Sequence, residues 1–83
     1  MIGKFVTSKA GHDKDALYVV VGHDRDSVLL ADGRLKTINK PKRKNIKHIQ
    51  PIQKKVDEEL VVAIKNGVAT DVQIKFAIKH YNS

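Results

Sequence analysis

Cysteine is absent from this 83-residue chain, so it has no disulfide framework, thiolate metal site or cysteine nucleophile. A small domain built without disulfides fits a reducing compartment. The first residues, Met1-Ile2-Gly3-Lys4-Phe5, lack the apolar run of a signal peptide. The longest near-apolar stretch, Ala16 to Gly22, falls far short of the roughly 20 residues needed to cross a bilayer. These absences lead us to expect a soluble, cytoplasmic protein with no membrane partner. Aromatic residues are few: Phe5, Tyr18, Phe76 and Tyr81, with no Trp. The sequence has no Gly-rich phosphate loop, zinc-ligand spacing or nucleophilic triad. Its length allows one domain, and a chain this short buries only about 60% of the surface its unfolded form exposes. A thin core leaves no room for a deep, walled-off active site. A binding module is expected, with no enzyme activity, cofactor, metal or small-molecule substrate.

Acids are also missing from one quarter of the chain. Residues 34–55 carry nine Lys/Arg and no Asp or Glu. The segments on either side are each slightly acidic, so this block holds all of the net +7 charge. A surface charged only for solubility would mix both signs throughout. A concentrated basic block instead reads as a footprint for a polyanion. Its members are Arg34, Lys36, Lys40, Lys42, Arg43, Lys44, Lys47, Lys54 and Lys55. Lys40-Pro41-Lys42-Arg43-Lys44 is the densest part. Because Pro41 favours an extended Lys40, this part is expected to reach outward as an arm. Phosphates would relieve the repulsion between these cations and release condensed counterions. No aromatic residue interrupts the block, so it offers no stacking platform for single strands. Recognition of folded nucleic acid by backbone and shape is expected.

The first half of the chain reads as short strands: Ile2 to Thr7, Ala16 to Gly22, Ser27 to Ala31, Arg34 to Ile38, and Ile46 to Gln50 closed by Pro51. Turns fall at Gly11 to Asp15 and His23 to Asp26, with a hairpin signal at Asp32-Gly33. Four or five short strands in about 50 residues imply a small barrel. Val19-Val20-Val21 and Val28-Leu29-Leu30 are apolar on both faces and need cover on both. Two short helices in the second half supply that cover. The first begins at Asp57-Glu58-Glu59, carries Val56, Leu60, Val61 and Ile64 as its stripe, and ends at Asn66-Gly67. The second opens on a capping box, Thr70-Asp71-Val72-Gln73, and its stripe is Ile74, Ala77, Ile78 and Tyr81, widened by Val72 and Phe76. The resulting division is a barrel over 1–53 and a helical extension of the same domain over 54–83.

Two echoing turns, Gly11-His12-Asp13-Lys14-Asp15 and Gly22-His23-Asp24-Arg25-Asp26, invite a metal or acid–base reading. A strand between them would hold them roughly 20–25 Å apart, so they read as two polar turns. His48 is expected to be structural or to contact nucleic-acid backbone. Glu58 and Glu59 read as helix-start charges. A small ribonuclease using His12 or His23, and a protein-interaction module using the basic face, are the rival readings.

Gly3-Lys4-Phe5-Val6-Thr7-Ser8 followed by Gly11-His12-Asp13 resembles a KOW motif, with Gly11 at its signature glycine. Ala31-Asp32-Gly33-Arg34 and the run Lys40 to His48 are similar to the large-subunit ribosomal protein family called fourteen-e in archaea and eukaryotes. The tail from Asp71 to Tyr81 resembles the family's short bacterial relatives. The resemblance implies an SH3-like barrel of about five strands with two helices packed on it. It also implies binding to ribosomal RNA in the large subunit of the ribosome. Carried over to this sequence, the implied RNA contacts are Lys4, Lys9, Gly11 and His12, then Lys40, Lys42, Arg43, Lys44, Asn45, Lys47 and His48. Arg34 and Lys36 join them from the charge pattern. Reversing Lys42 and Lys44 to Glu is expected to abolish RNA binding without lowering the melting temperature.

Overall fold

The computed structural model describes residues 1–9 and 16–81. Five strands form one antiparallel sheet: β1 (Phe5–Ser8), β2 (Leu17–Asp24), β3 (Ser27–Ala31), β4 (Lys42–Asn45) and β5 (Ile49–Pro51). Two helices follow, α1 (Glu58–Lys65) and α2 (Asp71–Tyr81). The sheet order is β4-β3-β2-β1-β5, so β4 and β5 lie at opposite edges. Only a 3-10 turn, Ile46–His48, connects those two edges. A flat five-stranded sheet would hold its edges about 19 Å apart at about 4.8 Å per strand. Three residues of 3-10 turn span only about 6 Å. The sheet must therefore curl until its edges meet, giving a small barrel-like fold.

Curling is eased by an irregularity in β2. Pairing to β3 runs from Val20↔Leu30 to Gly22↔Leu29, leaving Val21 as an extra residue. Such a bulge bends a strand and increases its twist. The first half of β2 pairs with β1 (Phe5↔Val19, Thr7↔Leu17), and the second half pairs only with β3.

The apolar runs are buried on two sides, as their pattern requires. Val6, Tyr18, Val20, Val28, Leu30 and Ile49 fill the concave side. Phe5, Val19 and Ala31 face the other way and are covered by Leu60 of α1 and by Ile74 and Ala77 of α2. Consecutive Val19 and Val20 are both fully buried, on opposite faces.

Both helices carry local start and stop signals. Asp57 caps α1, its carboxylate accepting from the N–H groups of Glu59 (3.0 Å) and Leu60 (3.3 Å). Gly67, at φ +72, follows its end. Before α2, Gln73 N–H donates to Thr70 Oγ1 (3.3 Å) and Thr70 N–H donates to Gln73 Oε1 (2.9 Å), a reciprocal capping box.

Several expectations fail at the level of elements. The first strand begins at Phe5, not Ile2, because the chain turns at Gly3 (φ +80). Arg34 to Ile38 is a loop, not a strand. Asp32-Gly33 is not a two-residue hairpin, since Asp32 Oδ1 instead accepts from Arg34 N–H (2.8 Å) and Lys36 N–H (3.0 Å). Ile46 to Gln50 divides into the 3-10 turn and the start of β5. The segment at Lys42 is no outward arm: it is β4, paired with β3 through Leu30↔Lys42 and Val28↔Lys44. Val72 and Phe76 do not widen the α2 stripe. At 100° per residue they fall opposite Ile74 and Tyr81, and they are 71% and 62% exposed.

Candidate nucleic-acid interface

Lysine-rich β4 contains no hydrophobic residue, yet it has two distinct faces. Residues directly opposite in an antiparallel pair share a side of the sheet. Lys42 and Lys44, opposite Leu30 and Val28, therefore share the concave side, where their aliphatic stems extend the apolar surface and both are half-buried. Lys44 Nζ donates across the seam to Ser8 Oγ of β1, a hydroxyl on a residue only 1% exposed. Arg43, opposite Leu29, faces the other way and pairs with Asp24 at 2.8 Å. Both partners of that pair are well exposed. The attraction is therefore weak, and the guanidinium stays accessible to another anion.

The short link between the sheet edges gathers further cations at the seam. Asn45 caps the 3-10 turn, its side-chain oxygen accepting from Lys47 N–H at 2.9 Å. Lys47 and His48 are left exposed on the turn. Lys9 N–H donates to the His48 carbonyl at 2.8 Å, which sets exposed Lys9 beside them. Ser8 in turn pairs with Ile49. Lys9, Lys44, Lys47 and His48 accordingly meet where β1, β4 and β5 come together, with Lys42 two residues along β4. Gly11 and His12, which belong to this group by resemblance, lie outside the described residues.

The rest of the basic block does not share that place. Arg34, Lys36 and Lys40 lie on the loop between β3 and β4. That loop is held against the start of α2, where Asp71 Oδ1 accepts from Ile38 N–H at 2.9 Å. Lys4 stands at the opposite end of β1 from Ser8, about 13 Å away along the strand; its carbonyl accepts from Val20 N–H at 3.0 Å. Lys54 points to the helices: its ammonium donates to the Tyr81 carbonyl (3.2 Å) and lies 4.4 Å from the centroid of the Tyr81 ring. A segment continuous in sequence is thus divided among the seam, a loop and the helical side.

Two seam residues escaped the sequence reading. Ser8 carries no charge and gives no local signal. Arg25, exposed at φ +57 in the β2–β3 turn, is masked in sequence by Asp24 and Asp26. The fold brings its turn to the seam, because Ile46 N–H donates to the Asp26 carbonyl at 2.9 Å. Among the described residues, no group of three His, Asp or Glu side chains is placed to hold a metal ion. No described helix is long and apolar enough to cross a membrane. Compared with known proteins, the chain matches no protein-family model and no curated protein.

Proposed function

We propose that this protein binds structured RNA, ribosomal RNA above all, as a cytoplasmic binding module without chemistry of its own. On this reading it is a short KOW-type relative of the fourteen-e ribosomal proteins and associates with the large ribosomal subunit. The observation that carries the proposal is the convergence of Lys9, Lys44, Lys47 and His48 on one seam, drawn from three elements that the fold alone brings together. Several cations fixed on a rigid scaffold can meet successive phosphates with little further loss of freedom. Lys42, two residues along β4 from Lys44, and Arg25, on the turn bonded to Ile46, extend that group.

The resemblance of Gly3 to Ser8 and of Lys40 to His48 to KOW proteins favours RNA over DNA, which charge alone does not distinguish. The test is a gel-shift titration with large-subunit ribosomal RNA at several salt concentrations. With four or five phosphates neutralised, log affinity should fall against log salt with a slope of roughly −3 to −4. A slope near zero, or equal affinity for a neutral polymer, would refute the reading. In extracts, the protein should co-sediment with the large subunit and be released by high salt or nuclease. Capture that survives nuclease would favour an acidic protein partner instead.

A further inference from the structure

We propose that Leu35, on the β3–β4 loop, packs against an unpaired base of the bound RNA, while the cations beside it hold the neighbouring phosphates. This rests on the RNA reading and adds to it a base contact, which the seam of cations does not supply. Leu35 is 89% exposed, more than any other large apolar side chain among the described residues. An exposed leucine alone would mean little. Here the loop that carries it is held in shape. Asp32 Oδ1 accepts from the N–H groups of Arg34 and Lys36, and the Lys36 carbonyl accepts from Asp32 N–H (2.9 Å) and Gly33 N–H (3.1 Å). These bonds close residues 32–36 into a braced turn, and the bond from Ile38 N–H to Asp71 Oδ1 fastens the loop to α2. A braced leucine loses little freedom on meeting a ligand.

Charge selects a polyanion as that ligand. Arg34 and Lys36 are the chain neighbours of Leu35, and exposed Lys40 follows on the same loop. Lys75 of α2 joins them: a Cβ at Gly33 would lie 2.9 Å from its Cγ. The acids facing the loop are Asp32 and Asp71, and each already accepts hydrogen bonds from loop backbone N–H groups. Four cations against two engaged carboxylates leave the surround positive. The loop also leads through Pro41 into β4, which runs about 10 Å to the seam at about 3.3 Å per residue. An RNA chain on the seam can therefore reach Leu35 by way of Lys42. Apolar side chains serve nucleic-acid binding as wedges against unstacked bases, and folded RNA offers such bases at bulges and loops. One leucine is too small an anchor for stable attachment to a lipid surface.

The test is a gel-shift titration of the full chain on two RNA hairpins with the same stem, one fully paired and one with a single bulged adenosine. The protein should bind the bulged hairpin roughly tenfold more tightly, an effect that burial of one leucine can supply. Leu35→Ser should bring the bulged hairpin to the affinity of the paired one, with an unchanged melting temperature by circular dichroism. Leu35→Phe, which keeps an apolar surface for the base, should retain the preference. Lys9→Glu with Lys47→Glu should weaken both hairpins together and leave the preference intact, so the seam and the loop read out separately. With a fluorescent adenine analogue as the bulged base, emission should change on binding the wild-type protein and not the Leu35→Ser protein. Equal affinity of the wild type for the two hairpins, or an undiminished preference in Leu35→Ser, overturns the inference and leaves the RNA reading standing. Absence of binding to both hairpins also overturns it, and the titration with ribosomal RNA then decides the RNA reading. Leu35-dependent sedimentation with phosphatidylserine vesicles, without preference for the bulge, would assign the loop to an anionic lipid surface instead.

Discussion

At Lys44, one side chain serves two ends. Its stem lies on the concave side beside Val28, and its ammonium bonds to the buried Ser8 hydroxyl across the seam. The expectation that Lys42 and Lys44 could both be reversed at no cost to stability therefore does not hold. Lys44→Glu would place a carboxylate against that seam, and even Lys44→Met removes a charge-assisted hydrogen bond. Lys44→Met should cost about 1–2 kcal/mol, lowering the melting temperature by several degrees in a domain of this size. Thermal denaturation followed by circular dichroism measures this, and an unchanged midpoint would mean the bond contributes nothing. The cleaner probe of function is Lys9→Glu with Lys47→Glu, since both residues are exposed. That pair should lose at least roughly tenfold in RNA affinity, mostly at low salt, with its melting temperature unmoved.

At the scale of elements, the contact between the β3–β4 loop and α2 sets where Arg34, Lys36 and Lys40 lie. Gly33 makes that contact possible. It adopts φ +78, and a Cβ placed there would lie 2.5 Å from the Asp71 carbonyl oxygen. Gly33→Ala combines left-handed strain with a backbone clash, so it should destabilise by about 2 kcal/mol or more. Hydrogen exchange gives a local readout: the Ile38 amide, bonded to Asp71 Oδ1, should exchange faster in the variant. An Ile38 amide as protected as before would show that the loop does not need glycine's freedom. The capping box at Thr70 and Gln73 can be probed in the same way. Thr70→Ala should cost about 1 kcal/mol and fray the start of α2.

Considered whole, the molecule is a curled sheet whose convex face is completed only by its helices. Phe5, Val19 and Ala31 are buried there because Leu60, Ile74 and Ala77 cover them. A chain truncated after Gln53 would expose this apolar face to water. It should then lose its cooperative thermal transition and aggregate, as size-exclusion chromatography and calorimetry would reveal. A truncated barrel that melted cooperatively would show that the concave cluster alone is a sufficient core. The cation-rich seam and the helices also separate at this scale: the seam lies where β1, β4 and the 3-10 turn meet, and the helices cover the convex face of the sheet.

Much of this was legible locally. A short apolar run between turn residues, Asp26 before it and Asp32-Gly33 after it, marks the strand at Ser27–Ala31, where expected and observed bounds coincide. Thr70 and Gln73 announce α2 because a capping box is written within four residues. Doubly apolar Val19-Val20-Val21 requires cover on two faces, and the helices provide it. Strand β4 was not legible as a strand. Its Lys-Arg-Lys-Asn residues have no apolar alternation, and it takes pairing with β3 to hold them extended. Nor could sequence reveal that Phe76 faces away from the core, since an exposed and a buried phenylalanine read alike until the helix is oriented.

The sequence alone determined the fold class and the location of the charge, because propensity, capping and composition are properties of neighbours along the chain. Which cations stand together was decided only when the sheet curled. Closure brought Lys9 and Lys47 from distant segments to one seam and sent Lys54 to the helices, since proximity in space follows from strand order and register rather than from sequence separation.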